Sequence, residues 1–189
     1  MGITQALFEG SMFIMVFLWT PFLEAAAGKA NSVPHGLTFA IFMVAIMVGS
    51  KLFGIAVGTY QAQLATLGAV AMAVGALAFW AIVWLELNAG GVLAAFVLFE
   101  LACGLYFPAV GTQKGKLVPE SVRSTMTNIF RMGVNIIVIS SLLQAGHTTP
   151  KLLFACCFLM LTAALGAQLW LRRRDAQAAT SLKAVDGDT

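Results

Sequence analysis

The stretch "FVLFELACGLYFPAVG", residues 96–111, is apolar almost from end to end, yet Glu100 stands near its middle. A soluble helix would turn such a residue outward to water. A helix in lipid has no outward water, so the solvent of this segment decides how the whole chain is read. Composition identifies that solvent. The 189 residues are 60% hydrophobic and 10% charged, with a mean hydropathy of +0.90, whereas soluble domains carry about 25% charged residues. One core of this size cannot hide so much apolar surface, and a bilayer can. The net charge of +3 is small, and no basic stripe interleaved with aromatics points to a nucleic-acid partner.

Working outward from Glu100, a membrane-crossing helix needs about 20 mostly apolar residues. Six stretches meet that length: Ile3–Leu23, the run after "NSVPHG" to Val57, Leu64–Leu85, Val92–Val110, the run after "VPESVRS" to Leu143, and Pro150–Leu171. Pro34 and Pro150 are helix-start signals. Short connections predict a bundle over residues 1–171, and the polar segment 172–189 reads as a disordered cytoplasmic tail. One set of connections carries Lys51, Lys114, Lys116, Arg123 and Arg172–Arg174; the other carries Lys29 and Lys151. The positive-inside rule places the first set, and with it both termini, in the cytoplasm.

Two segments share a pattern. "LFEGSMFIMVFLWTP" (7–21) and "LFELACGLYFP" (98–108) each set Leu-Phe-Glu ahead of an aromatic-rich stretch that ends at a proline. These segments occupy spans one and four, which correspond if the chain is two three-helix units. Three spans per unit invert the second unit relative to the first, as in secondary transporters with sites at the midplane. The expected fold is therefore all-α: six transmembrane helices in two inverted three-helix repeats.

Glu100 lies about nine residues from either end of its span, near the bilayer centre. A charge there costs about 2.5–3.5 kcal/mol on insertion scales and requires a partner, a proton or water. The expected partner is Arg131 in span five, "RSTMTNIFRMGVNIIVISSLL" (123–143), where Asn128, Arg131 and Asn135 recur at offsets of three and four and share a helix face. An arginine fork flanked by amides is oxyanion chemistry; a structural Glu100–Arg131 pair with bridging asparagines is the alternative. Glu9, nearer the cytoplasmic end of span one, reads either as a proton acceptor lining a cavity or as a carboxylate reaching interfacial water. Tyr106 and Trp19 are placed to line a cavity or to anchor at the interface. Gly49, Gly54 and Gly58 predict close helix packing. Cys103, Cys156 and Cys157 lie in apolar runs and read as small core residues. No cofactor or metal site is expected, and no HExxH, GxSxG or Walker-type loop points to an enzyme.

"LFEGSMFIMVFLWTP", "PHGLTFAIFMVAIMVGSKLFG" (34–54) and "FVLFELACGLYFPAVGTQKGKLVPESVRSTMTNIFRMGVN" (96–135) resemble the second half of the molybdate-anion transporter family of the major facilitator superfamily. The likeness runs from Gln5 to Leu143. "LFEGSM" and "YFPAVGTQKGKLVPESVRS" are its specific parts, whereas "PESVRS" alone is widespread in the superfamily. The resemblance implies a twelve-helix fold of which this chain supplies helices seven to twelve. It places Glu9, Glu100 and Tyr106 in the cavity and implies uptake of molybdate, a tetrahedral dianion, at a cell membrane. No family motif fixes the binding residues; read from the residues themselves, the expected substrate contacts are Arg131, Asn128, Asn135, Glu100 and Tyr106, and the candidates for proton coupling are Glu9 and Glu100. The pattern departs from the family in lacking an amino-terminal half. Met1 is expected to be an internal methionine of a longer chain; the alternative is a natural half that pairs with a second chain. A non-transporting membrane scaffold and a facilitator for a sugar or organic anion are the other functional readings.

Overall fold

The computed structural model describes residues 2–28, 32–145 and 147–187, without side chains at 117, 123, 145 and from 171 onward. Six helices follow one another: α1 (Gly2–Ala27), α2 (His35–Gly58), α3 (Leu64–Trp84), α4 (Ala89–Leu117), α5 (Glu120–Ala145) and α6 (Pro150–Gly187). Each contains a window long and apolar enough to cross a membrane, and no strand occurs among the described residues. Local sequence sets the starts. Pro34 stands immediately before α2, Pro150 is the first residue of α6, and the Asn88 side chain accepts the Gly91 N–H at 2.9 Å to cap α4.

Two elements run longer than the apolar pattern predicts. With the Asn88 cap at one end and no proline between Val110 and Pro119 at the other, α4 exceeds the expected Val92–Val110 by a turn or more on the Lys114 side. Beyond its apolar window, which ends at Trp170, the segment expected to be a disordered tail continues α6 as helix to Gly187. It is rich in alanine and contains no proline. Lys29, counted toward the orientation, lies outside the described residues, as do the side chains of Arg123 and of the arginines at 172–174.

Packing follows a two-fold plan. α1 packs against α4, α5 and α6, α4 packs against α1, α2 and α3, and α3 packs against α6. Exchanging α1, α2 and α3 for α4, α5 and α6 leaves this network of close neighbours unchanged. Short connections reverse the chain at every step, so α1 and α4 run in opposite directions, and the repeats are inverted. They also interleave: α2 lies on α4 of the other unit, and α5 lies on α1.

Small residues allow these two equivalent contacts. A Cβ added at Gly49 would strike the Leu101 carbonyl, and one at Gly104 would strike the Ile46 carbonyl, so α2 and α4 meet backbone to backbone. On the other side, a Cβ at Gly133 would sit 3.2 Å from the Ala6 Cβ, and one at Gly10 would sit 2.8 Å from Ile137 Cγ2, which sets α1 close to α5. Gly54 and Gly58, expected to share in packing, face open space. Their spacing matches a packing motif, but α2 turns its Gly49 face toward its only close neighbour.

Aromatic rings fill the centre. Tyr106 stacks on Phe8 at 3.7 Å, Phe8 on Phe99 at 5.9 Å, Phe99 against Phe79 at 4.5 Å and Phe79 on Phe154 at 5.7 Å, linking α4, α1, α3 and α6. Lipid tails are as apolar as these rings, so dispersion in a close-packed core, not exclusion from water, holds the bundle. The outermost helices, α2 and α5, turn long apolar faces away from the protein, including Met47 and Val44 on α2 and Ile129, Met132 and Ile136 on α5.

Candidate functional site

Between α1 and α5 lies a cleft of about 690 Å³. α1 lines it with Gln5, Glu9, Met12 and Phe13, and α5 with Thr127, Arg131, Val134 and Asn135. Both sets follow the same spacing of i, i+4, i+7 and i+8, which is one stripe of a helix. Phe107 of α4 closes a third side. The cleft exists because α5 touches α1 through its small-residue face and lacks close packing against α4, so the two helices diverge beside that contact.

The polar groups are arranged asymmetrically. On α1, Gln5 Nε2 donates to Glu9 Oε1 at 2.6 Å, a bond between successive turns. The opposite Gln5 atom, Oε1, is buried without a hydrogen-bond partner. On α5, Arg131 is exposed to the cleft and has no carboxylate within ion-pair distance. The one such contact among the described residues is His35 Nε2 with Glu24 Oε1, 2.8 Å apart where the ends of α1 and α2 meet. Lys114 places its ammonium 5.6 Å from the centre of the Phe130 ring, a cation–π contact.

The structure separates the residues that sequence had joined. Arg131 and Asn135 share the cleft, but Asn128, on the neighbouring stripe of α5, is exposed and outside the lining. The expected Glu100–Arg131 pair does not form. α1 lies between their helices, and α4 and α5 are not close neighbours. Glu100 is instead buried, 5% exposed, among the α4 contacts. Tyr106, expected at the cavity wall, is fully buried beneath Phe8, and its hydroxyl has no hydrogen-bond partner. Glu9 does reach the cleft. Trp19 sits half-buried between Phe42 and His35, with ring centres 5.3 and 5.9 Å away. Cys103 and Cys157 are core residues as expected, whereas Cys156 is exposed.

Gln5, Thr127 and Phe107 were missed. Gln5 and Glu9 are four residues apart, a legible signal for a shared helix face. Nothing local singles out Thr127 from Asn128, because the choice of stripe depends on how α5 is rotated against α1.

The family model of MFS_5, sugar transporters with 12 transmembrane segments, matches residues 1–101. This chain belongs to that family. Among relatives of this family member, the molybdate-anion transporter of Takifugu rubripes is 34% identical over 183 residues, covering 88% of this chain and 37% of its own length. Those of Danio rerio and Xenopus tropicalis are 34% and 32% identical and cover 87% of this chain. The chain thus spans a little over a third of the length of the curated relatives it matches. The in meso crystal structure of the POT family transporter PepTSo superposes with a TM-score of 0.72 over 92% of this chain and 36% of that one, at 17% identity. The MFS_5 chain therefore has a transporter fold and is a multi-pass membrane protein.

Proposed function

We propose that this six-helix bundle is one half of a secondary transporter whose α1–α5 cleft binds a small oxyanion of the molybdate class. The observation that carries the reading is Arg131: a guanidinium in the middle of a membrane-spanning helix, facing a cleft, with no carboxylate of the described residues paired to it. Arginine stays charged at any working pH and presents a planar fork that matches two oxygens of a tetrahedral anion. Asn135, one turn further on, can donate from its amide to a third oxygen, and Thr127, one turn before, from its hydroxyl. The relatives named molybdate-anion transporter support the choice of anion.

Arg131 lies eleven residues beyond Glu120, about 16 Å along the helix, so the anion would sit near mid-membrane. A cleft open on one side then needs a second wall. A further six-helix unit, in the same polypeptide or in another chain, would supply it, and rocking of the two would alternate access. The exposed apolar face of α5 adjoins the cleft where such a unit would dock. Both termini are assigned to the cytoplasm, from the lysines of the α2–α3 and α4–α5 sides, and the site of action to the cell membrane.

The test is molybdate uptake by the complete protein carrying Arg131→Ala or Arg131→Lys. Alanine should abolish uptake with surface expression intact, and lysine should weaken affinity by about tenfold because it loses the fork. Normal uptake by the alanine variant would end the anion-site reading. A sugar cargo is the second reading, favoured by the sugar-transporter description of MFS_5. Competition separates the two: sulfate and tungstate should block molybdate uptake, and hexoses should not.

A further inference from the structure

At the end of the bundle away from Gly2, the last turns of α1 and α3 meet the first turns of α4 and α6 around a second cavity, of about 480 Å³. It shares no lining residue with the α1–α5 cleft. The turn between α3 and α4 builds its rim. Leu85 and Asn88 take extended backbone angles, and the Leu87 N–H bonds back to the Leu85 carbonyl at 2.9 Å. Glu86, between them, belongs to neither helix and lines the cavity. Lys151, in the first turn of α6, lines it as well.

Two opposite charges thus line one cavity and do not pair. Among the described residues the ion pair at this end joins Glu24 to His35, and neither Glu86 nor Lys151 has a charged partner. Asn88 is half committed: its Oδ1 accepts the Gly91 N–H at 2.9 Å, which leaves its NH₂ as a donor. The rest of the lining is apolar. Ile82 and Val92 are buried, Phe22 is half-buried, and Ala25 and Ala26 are too small to fill the space. The depth is that of lipid headgroups. Glu86 lies two residues past Trp84, where the apolar window of α3 ends, and Lys151 follows Pro150, where that of α6 begins, so both stand within about 5 Å of the hydrocarbon boundary. Trp84, 53% exposed and packed on Phe158 of α6, is the kind of aromatic that anchors there.

We propose that this cavity binds the headgroup of a zwitterionic membrane lipid, phosphatidylethanolamine. Its ammonium donates to the Glu86 carboxylate, and its phosphate accepts from the Lys151 ammonium and the Asn88 amide. The glycerol and the first carbons of the chains lie against Phe22 and Ile82. One ligand of zero net charge then meets both unpaired side chains. The other common headgroups fit less well. Phosphatidylcholine offers Glu86 no N–H, and a trimethylated nitrogen is held by aromatic cages, whereas Phe22 is the one aromatic residue of the lining. Phosphatidylglycerol carries no cation and would set an anion against Glu86. A lipid seated here touches α1, α3, α4 and α6 together, and α1 is the helix that lines the cleft, so the composition of the bilayer acts on the packing of that helix. The site does not depend on which cargo the cleft takes.

The experiment measures binding of phosphatidylethanolamine, phosphatidylcholine and phosphatidylglycerol, with identical acyl chains, to the complete protein in detergent by native mass spectrometry. The ethanolamine lipid should bind about tenfold more tightly than the other two, the worth of a charge-assisted hydrogen bond to Glu86. Glu86→Gln should erase most of that preference, and Lys151→Gln should weaken the ethanolamine and choline lipids alike. Both side chains are exposed and unpaired among the described residues, so neither change threatens folding. Free phosphoethanolamine at the same concentration should fail to displace the lipid, because it has no apolar root. Equal affinity for the three lipids overturns the site, as does a preference that survives Glu86→Gln. Displacement by phosphoethanolamine would give the cavity to a soluble zwitterion and overturn the lipid assignment.

Discussion

α4 and α5 each carry one charge deep in the membrane, and the bundle treats the two in opposite ways. α4 packs against α1, α2 and α3, so most of its surface meets protein, and Glu100 is buried there. α5 is held closely by α1 alone, so its circumference divides into a packed stripe, an apolar stripe turned outward, and the cleft stripe that holds Arg131. In sequence the two residues look alike, a lone charge in an apolar run. What separates them is the number of neighbours around each helix. On α4 the charge lies on a side packed by neighbouring helices, while α5, with one close neighbour, presents its charge to a cleft.

The strongest test of that contrast is Gly104→Val. On the enclosed helix this change drives a side chain into the Ile46 backbone, and it should destabilise the protein by about 3 kcal/mol or more. Thermal unfolding in detergent, with loss of the monodisperse species, is the readout. A valine in place of Gly54, where an added Cβ meets nothing within 4 Å, should leave stability within about 0.5 kcal/mol. Equal losses at both positions would mean that α4 is not the tightly enclosed member.

Next in size is Arg131→Ala, expected to lower molybdate uptake by about a hundredfold with little change in thermal stability, because no carboxylate of the described residues pairs with this exposed side chain. A large stability loss would instead mark Arg131 as a structural charge. Glu100→Gln sharpens the other half of the contrast. Glu100 lies outside the α1–α5 cleft and makes no ion pair among the described residues, so its amide should transport within about twofold of the parent. Uptake lost as completely as with Arg131→Ala would return Glu100 to the transport path. The smallest effects compare two asparagines on α5. Asn135→Ala should weaken apparent molybdate affinity by about tenfold through a lost bond to a charged ligand, and Asn128→Ala should be nearly silent. The reverse ranking would show α5 rotated by one stripe.

Much of the architecture was legible beforehand. Hydropathy alone locates all six helices, because in lipid every backbone N–H must bond within its own segment and helix length is tied to bilayer thickness. The paired Leu-Phe-Glu segments do mark equivalent helices, α1 and α4, at the centre of an inverted contact network. The site was half legible. Arg131, Asn135 and Glu9 stand out as polar residues within apolar spans, and all three line the cleft. Asn128, Glu100 and Tyr106 stand out equally, and the cleft omits them. The helix ends were less legible still, because α4 and α6 run on past their apolar windows wherever no proline stops them.

By itself, then, the sequence determined the solvent and the number of helices, and the place of each charged residue along its span, since these follow from local composition and the fixed rise of an α-helix. Only the tertiary structure decided which residues face each other. That depends on the rotation and order of packed helices, set here by backbone contacts at Gly49, Gly104, Gly10 and Gly133 between segments far apart in the chain. With α1 between α4 and α5, Glu100 never meets Arg131, and the carboxylate facing that arginine across the cleft is Glu9.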